Sequence, residues 1–108
     1  DLHSFPTRRS SDLLEVHDWE EVQKAKDLPI KIMGVNNRNL KDFSVDIHRS
    51  LELSEHIPPS FIKVSESGIK TREDIQLLKE HGYNAVLVGE ALVTAPDPGE
   101  KLRELIGF

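Results

Sequence analysis

The sequence predicts an α/β fold in which a parallel β-sheet is covered by helices. Three observations predict it. Four short runs rich in Ile, Val and Leu recur along the chain, and each is followed by a segment with helical spacing of apolar residues. Each run ends in polar residues or glycine, where a strand turns into the next helix. Strands separated by helices pair in parallel, and their near-continuous apolar character fits a sheet packed under helices. Two architectures satisfy this order, a small open α/β sheet and a segment of a (β/α)8 barrel. A full barrel needs about 250 residues, so residues 14–108 would make roughly half of one.

The elements follow in order. Residues 14–16 end the first strand. Asp18 can cap a helix over residues 19–27, because its carboxylate accepts from the free amides of the first turn, and Val22 and Ala25 share the inner face. Pro29 stops that helix. Residues 30–35 form the second strand, which runs into Asn36, Asn37, Arg38 and Asn39. Asp46 can start a second helix with Ile47, Leu51, Leu53 and Ile57 inward, and Pro58 and Pro59 end it. Residues 61–65 form the third strand, followed by Glu66, Ser67 and Gly68. Thr71 caps a third helix with Ile75, Leu77 and Leu78 inward. Glu73 and Asp74 suit its positive end, and Gly82 closes it. Residues 85–88 form the fourth strand, ending at Gly89 and Glu90. A last helix covers residues 98–105 with Leu102, Leu105 and Ile106 inward.

Composition excludes several functions. Cysteine is absent, which removes disulfides and thiolate metal sites and suits a reducing cytoplasm. The formal net charge of −5 argues against non-specific nucleic-acid binding, which needs clustered Lys and Arg. No apolar run approaches the ~20 residues of a membrane span. The five histidines, His3, His17, His48, His56 and His81, lack metal-ligand spacing. There is no Walker loop, dinucleotide fingerprint or plausible Ser/His/Asp set. Residues 1–13 carry no strand or helix period. They are expected to be disordered or foreign to the native protein, of the kind that translated sequencing adapters add.

Chemistry in parallel α/β folds gathers at the C-terminal ends of the strands. Glu15, Asn36 and Glu66 occupy three of these ends, and Gly89-Glu90 the fourth, each about one βα unit from the last. In a closed barrel they would converge on one pocket. Glu15, flanked by Leu14 and Val16, can serve as a general base or stabilise a developing cation, or merely cap the next helix. Asn36 can bond a substrate hydroxyl, or with Asn37 form a plain turn. Arg38 can grip a carboxylate or phosphate with two donors, or form a surface ion pair. Ser67-Gly68 and Gly89 fit phosphate-binding loops, because backbone N–H groups bind anions and glycine allows close approach.

At this point the motifs resemble a known family. Leu14-Glu15-Val16-His17-Asp18, then Gly34-Val35-Asn36-Asn37-Arg38-Asn39-Leu40, then Val64-Ser65-Glu66-Ser67-Gly68-Ile69 and Leu87-Val88-Gly89-Glu90-Ala91-Leu92 look like the successive motifs of indole-3-glycerol-phosphate synthase. The resemblance covers nearly everything after Leu13. It implies half of a (β/α)8 TIM barrel, with four βα units corresponding to strands five to eight. It implies a carboxy-lyase of tryptophan biosynthesis that converts 1-(2-carboxyphenylamino)-1-deoxyribulose 5-phosphate to indole-3-glycerol phosphate, with loss of CO2 and water and no cofactor or metal. Glu15 matches the family's catalytic glutamate and Asn36 the asparagine that binds a substrate hydroxyl. Arg38 matches the arginine near the substrate carboxylate, and Leu40 an apolar wall for the aromatic ring. Glu66 and Ser67 match active-site residues. Ser67, Gly68, Gly89 and the backbone amide of Glu90 fall on the phosphate site.

The family's acid lysines belong to the first and third strands, which this chain does not carry. The chain by itself is therefore expected to be inactive and to self-associate through its open sheet. The rival readings are another phosphate-binding barrel enzyme, such as a phosphoribosylanthranilate isomerase, and a non-catalytic half barrel that binds phosphate compounds.

Overall fold

A computed structural model describes residues 13–107 of the chain. The expectations attached to residues 1–12 lie outside the described residues. Leu13, grouped with them on sequence grounds, opens the first strand. The strands are β1 (Leu13–Val16), β2 (Ile32–Asn36), β3 (Ile62–Glu66) and β4 (Ala85–Leu87). The helices are α1 (Trp19–Ala25), α2 (His48–Ser54), α3 (Arg72–Glu80), α4 (Glu90–Val93) and α5 (Pro98–Ile106). The sheet is parallel throughout, in the order β1-β2-β3-β4. This is the architecture of four consecutive βα units of a (β/α)8 barrel.

Strand alternation divides the sheet into two faces. Leu14, Val16, Met33 and Val35 point to the helices and are buried with Val22, Ala25, Leu53, Ile57, Phe61, Ile69, Leu78 and Tyr83. Leu13, Glu15, Ile32, Gly34, Asn36, Ile62, Val64 and Glu66 take the opposite face. There Ile62 and Leu87 stay about half exposed.

Local chemistry sets the helix ends. The Asp18 carboxylate accepts from the Glu21 amide at 2.8 Å, as a cap should. Thr71 and Asp74 form a reciprocal capping box at 3.1 Å in each direction. At the other end of α3, Gly82 takes φ +88°. The Gly82 and Tyr83 amides donate to the Lys79 and Leu78 carbonyls, closing the helix with a left-handed glycine.

The helix layer departs from expectation in four places. The short helix α4 follows β4 directly and carries no apolar period long enough to signal itself. In α2 the fully covered stripe is Ser50, Leu53, Ser54 and Ile57, while Ile47 and Leu51 are only half buried. The helix is rotated so that Ser50 reaches a buried polar network. Asp46 precedes that helix rather than capping it. Its carboxylate accepts from the His48 amide at 2.9 Å, and Ile47 takes the cap position. Leu102 and Ile106 are exposed, at 45% and 53%, and only Leu105 faces inward. The reason is that α5 packs on α3 and α4, which presents a narrow surface to it.

Tyr83 anchors the helix layer by donating from its hydroxyl to the Ser50 carbonyl at 2.6 Å. Burial pushes its hydroxyl up to about 12. A raised folded value means the stabilisation is fully present below pH 10 and is lost as pH rises through 12. At about 1.4 kcal/mol per factor of ten, the loss is roughly 2–3 kcal/mol. Urea titrations should show the stability difference between wild type and Tyr83→Phe shrinking over this window. A constant difference from pH 9 to pH 12 would contradict the burial.

Candidate active site

The C-terminal ends of the strands carry the polar residues. In the parallel register Asn36 lies beside Glu66, and Glu15 lies beside Gly34 one layer below. Glu66 is buried, whereas Glu15 and Asn36 are half buried. Asn36 Oδ1 accepts from the Arg38 amide at 3.0 Å and from Ser67 Oγ at 2.9 Å. With its oxygen so engaged, the amide nitrogen of Asn36 remains as a donor toward the open face.

A cavity of about 460 Å³ is lined by Arg38, Glu66, Ser67, Gly68, Gly89 and Glu90, with Leu87, Val88 and Thr94 among its other walls. It thus brings together most of the residues singled out from sequence. Glu15, Asn36 and Leu40 are not on its wall. Asn36 is one hydrogen bond away through Ser67. Glu15 lies two strands across, on the same face of the sheet. Leu40 projects from the β2–α2 loop and is 59% exposed.

The loop after β3 is held in an unusual conformation. Ser67 and Gly68 both have positive φ, +73° and +78°. A side chain at 68 would meet Val45 Cγ1 at 2.4 Å, so glycine is required there on two counts. Ser67 is a strained exception. Its hydroxyl bonds Asn36, and its carbonyl accepts from Asn37 Nδ2 at 3.0 Å, which together hold the strain. Gly89 caps α4, and a Cβ built there meets nothing within 4 Å. Its place is therefore open to an approaching ligand. Glu90 begins α4 and pairs with Arg38 across 3.6 Å. The Arg38 guanidinium also donates to the Phe43 carbonyl at 3.1 Å, so it is aimed but still exchangeable with a ligand anion.

Sequence reasoning missed the residues that support this rim. Asn37, a turn residue by its sequence neighbours, is 1% exposed. Its Nδ2 donates to Ser65 Oγ, and its Oδ1 accepts from the Ser50 amide and hydroxyl, at 2.8–3.0 Å. The two serine hydroxyls bond each other at 2.7 Å. On the far side, Arg49 Nη1 donates to the His17 carbonyl, tying α2 to the end of the Glu15 strand. Neighbouring residues Arg49 and Ser50 thus fasten one helix to three strand ends. A continued alternation, Met33, Val35, Asn37 beside Lys63, Ser65, is the one sequence signal that would have placed Asn37 and Ser65 under the helices.

Four parallel βα units with polar residues at their strand ends define part of a (β/α)8 barrel. The family model for indole-3-glycerol phosphate synthase matches residues 9–105, and the chain belongs to that family. It is 53% identical over 95 residues to an indole-3-glycerol phosphate synthase of Koribacter versatilis, covering 88% of this chain and 36% of that protein. A synthase of the same name from Alkaliphilus metalliredigens is 52% identical over 93 residues, covering 86% of this chain and 36% of the relative. One from Legionella pneumophila strain Paris is 43% identical over 98 residues, covering 91% and 38%. The chain therefore spans little more than a third of the length of these relatives. Among the described residues no helix is long and apolar enough to cross a membrane.

Proposed function

We propose that this chain supplies the C-terminal half of the active site of a cytoplasmic indole-3-glycerol-phosphate synthase. The observation that carries this reading is the single rim shared by Glu15, Asn36 and Glu66, with Arg38, Ser67, Gly68, Gly89 and Glu90 around the adjoining cavity. In the reaction, 1-(2-carboxyphenylamino)-1-deoxyribulose 5-phosphate closes its pyrrole ring and releases CO2 and water. The substrate phosphate would sit against the Ser67-Gly68 and Gly89-Glu90 loops, where glycine allows close approach and backbone amides would donate to the anion. Arg38 would exchange Glu90 for the substrate carboxylate, a stronger partner once two parallel bonds form. Leu40 would flank the aromatic ring. Asn36 would hold a ribulose hydroxyl with its amide nitrogen. Glu15 would take the proton lost in dehydration, and Glu66 would act beside it. The acid that protonates the ribulose carbonyl would come from lysines on strands outside this chain.

The isolated chain is expected to give no turnover above background and to self-associate, because Ile62 and Leu87 leave its inner face partly apolar and open. Joining residues 13–108 to strands one to four of a relative, such as the Koribacter synthase, should restore synthase turnover. Light scattering and an indole-3-glycerol-phosphate fluorescence assay measure both. Full activity from the isolated chain would defeat the half-site reading. A folded, joined protein without turnover that binds the substrate's reduced analogue no better than inorganic phosphate would instead favour a non-catalytic phosphate binder.

A further inference from the structure

We infer that Gly34 is a positioning residue whose missing side chain gives the Glu66 carboxylate its place beside Glu15. Residues 32, 34 and 36 of β2 face the open side of the sheet. In the register, position 34 lies between Glu15 on β1 and Val64 on β3. Glu66 belongs one layer higher, opposite Asn36. Yet a Cβ built on Gly34 would lie 2.3 Å from Glu66 Oε2 and 3.4 Å from its Cδ. The Glu66 side chain therefore folds back by one layer and across one strand, and its carboxylate fills the space that residue 34 leaves. That space adjoins Glu15 across a single strand spacing of about 4.8 Å. Leu13 Cδ1, 3.2 Å from the same point, closes the space from β1. A methyl group here would be boxed between them, and the flexible end of Glu66 is the part free to move.

The inference rests on the synthase reading, in which both carboxylates act on one substrate. Two carboxylates on a shared reacting atom must keep their spacing, and a displacement of about 1 Å can cost up to 100-fold in rate. The test is a double-mutant cycle in the joined enzyme described above. Gly34→Ala should lower kcat by roughly 10- to 100-fold when residue 66 is glutamate, with the melting temperature little changed. In a Glu66→Asp background, whose shorter side chain does not reach over β2, the same substitution should cost less than about threefold. Equal losses in both backgrounds, or none in either, would overturn the inference. Should the joined wild type lack synthase activity, the synthase reading falls, and a crystal structure of Gly34→Ala decides this point separately. The Glu66 carboxylate is expected to retreat to ordinary contact, 3.4 Å or more from the new methyl. A carboxylate left in its original place would refute it.

Discussion

Replacing Glu15 with glutamine, in this chain joined to strands one to four of a relative, is expected to lower kcat by roughly 10²- to 10⁴-fold. The substitution keeps the size of the side chain and removes only its capacity to take a proton. Glu15 lies in the β1–β2 ladder beside Gly34, whose open space the Glu66 carboxylate fills, and glutamine keeps the size that this neighbourhood accommodates. KM should therefore stay within about threefold, since a group that acts in proton transfer contributes mainly to the transition state. Steady-state kinetics with the ribulose phosphate substrate gives both constants. A kcat within about threefold of wild type would remove Glu15 from the chemistry and return it to the role of a strand-end residue. A large rise in KM at unchanged kcat would make it a binding residue instead.

Asn37→Leu is expected to cost roughly 3–5 kcal/mol of stability, the largest effect of any single change outside the chemistry. Leucine has the same number and branching of side-chain heavy atoms, with bulkier methyl ends, so no cavity opens. What disappears is the set of bonds to Ser50, Ser65 and the Ser67 carbonyl. The Ser50 amide would then lose this partner in a buried site, and the half-buried Ser67 carbonyl would lose its own. The effect should also reach the cavity, because the Ser67 carbonyl bond helps hold the positive φ of that residue. Urea denaturation should show the midpoint falling sharply. For a domain of about 100 residues the melting temperature should drop by well over 10 °C. A loss below about 1 kcal/mol would mean that water or repacking replaces the network.

The same contrast separates what could be read in the sequence from what could not. The alternating βα order was legible because apolar runs and helical stripes alternate and are punctuated by Pro29, Pro58 and Gly82. The caps at Asp18 and Thr71 were legible because capping is local, spanning three residues. The rim was legible because strand ends are predictable wherever strands are, and parallel strands put all their C-terminal ends on one side. The exposure of Leu102 and Ile106 was not legible, since a helical stripe names a face without saying what surface meets it.

By itself the sequence determined the alternation of four strands with their longer helices, the caps at Asp18 and Thr71 and the polar residues at the strand ends, since each depends on neighbours within a turn or a strand length. Tertiary structure alone decided that Asn37 is core rather than turn, that α2 presents Ser50 inward, and that Glu66 lies in the space left by Gly34. Those outcomes depend on groups 13 to 32 positions apart meeting across strands. The register and the packing of one helix create those meetings, and no local pattern encodes them.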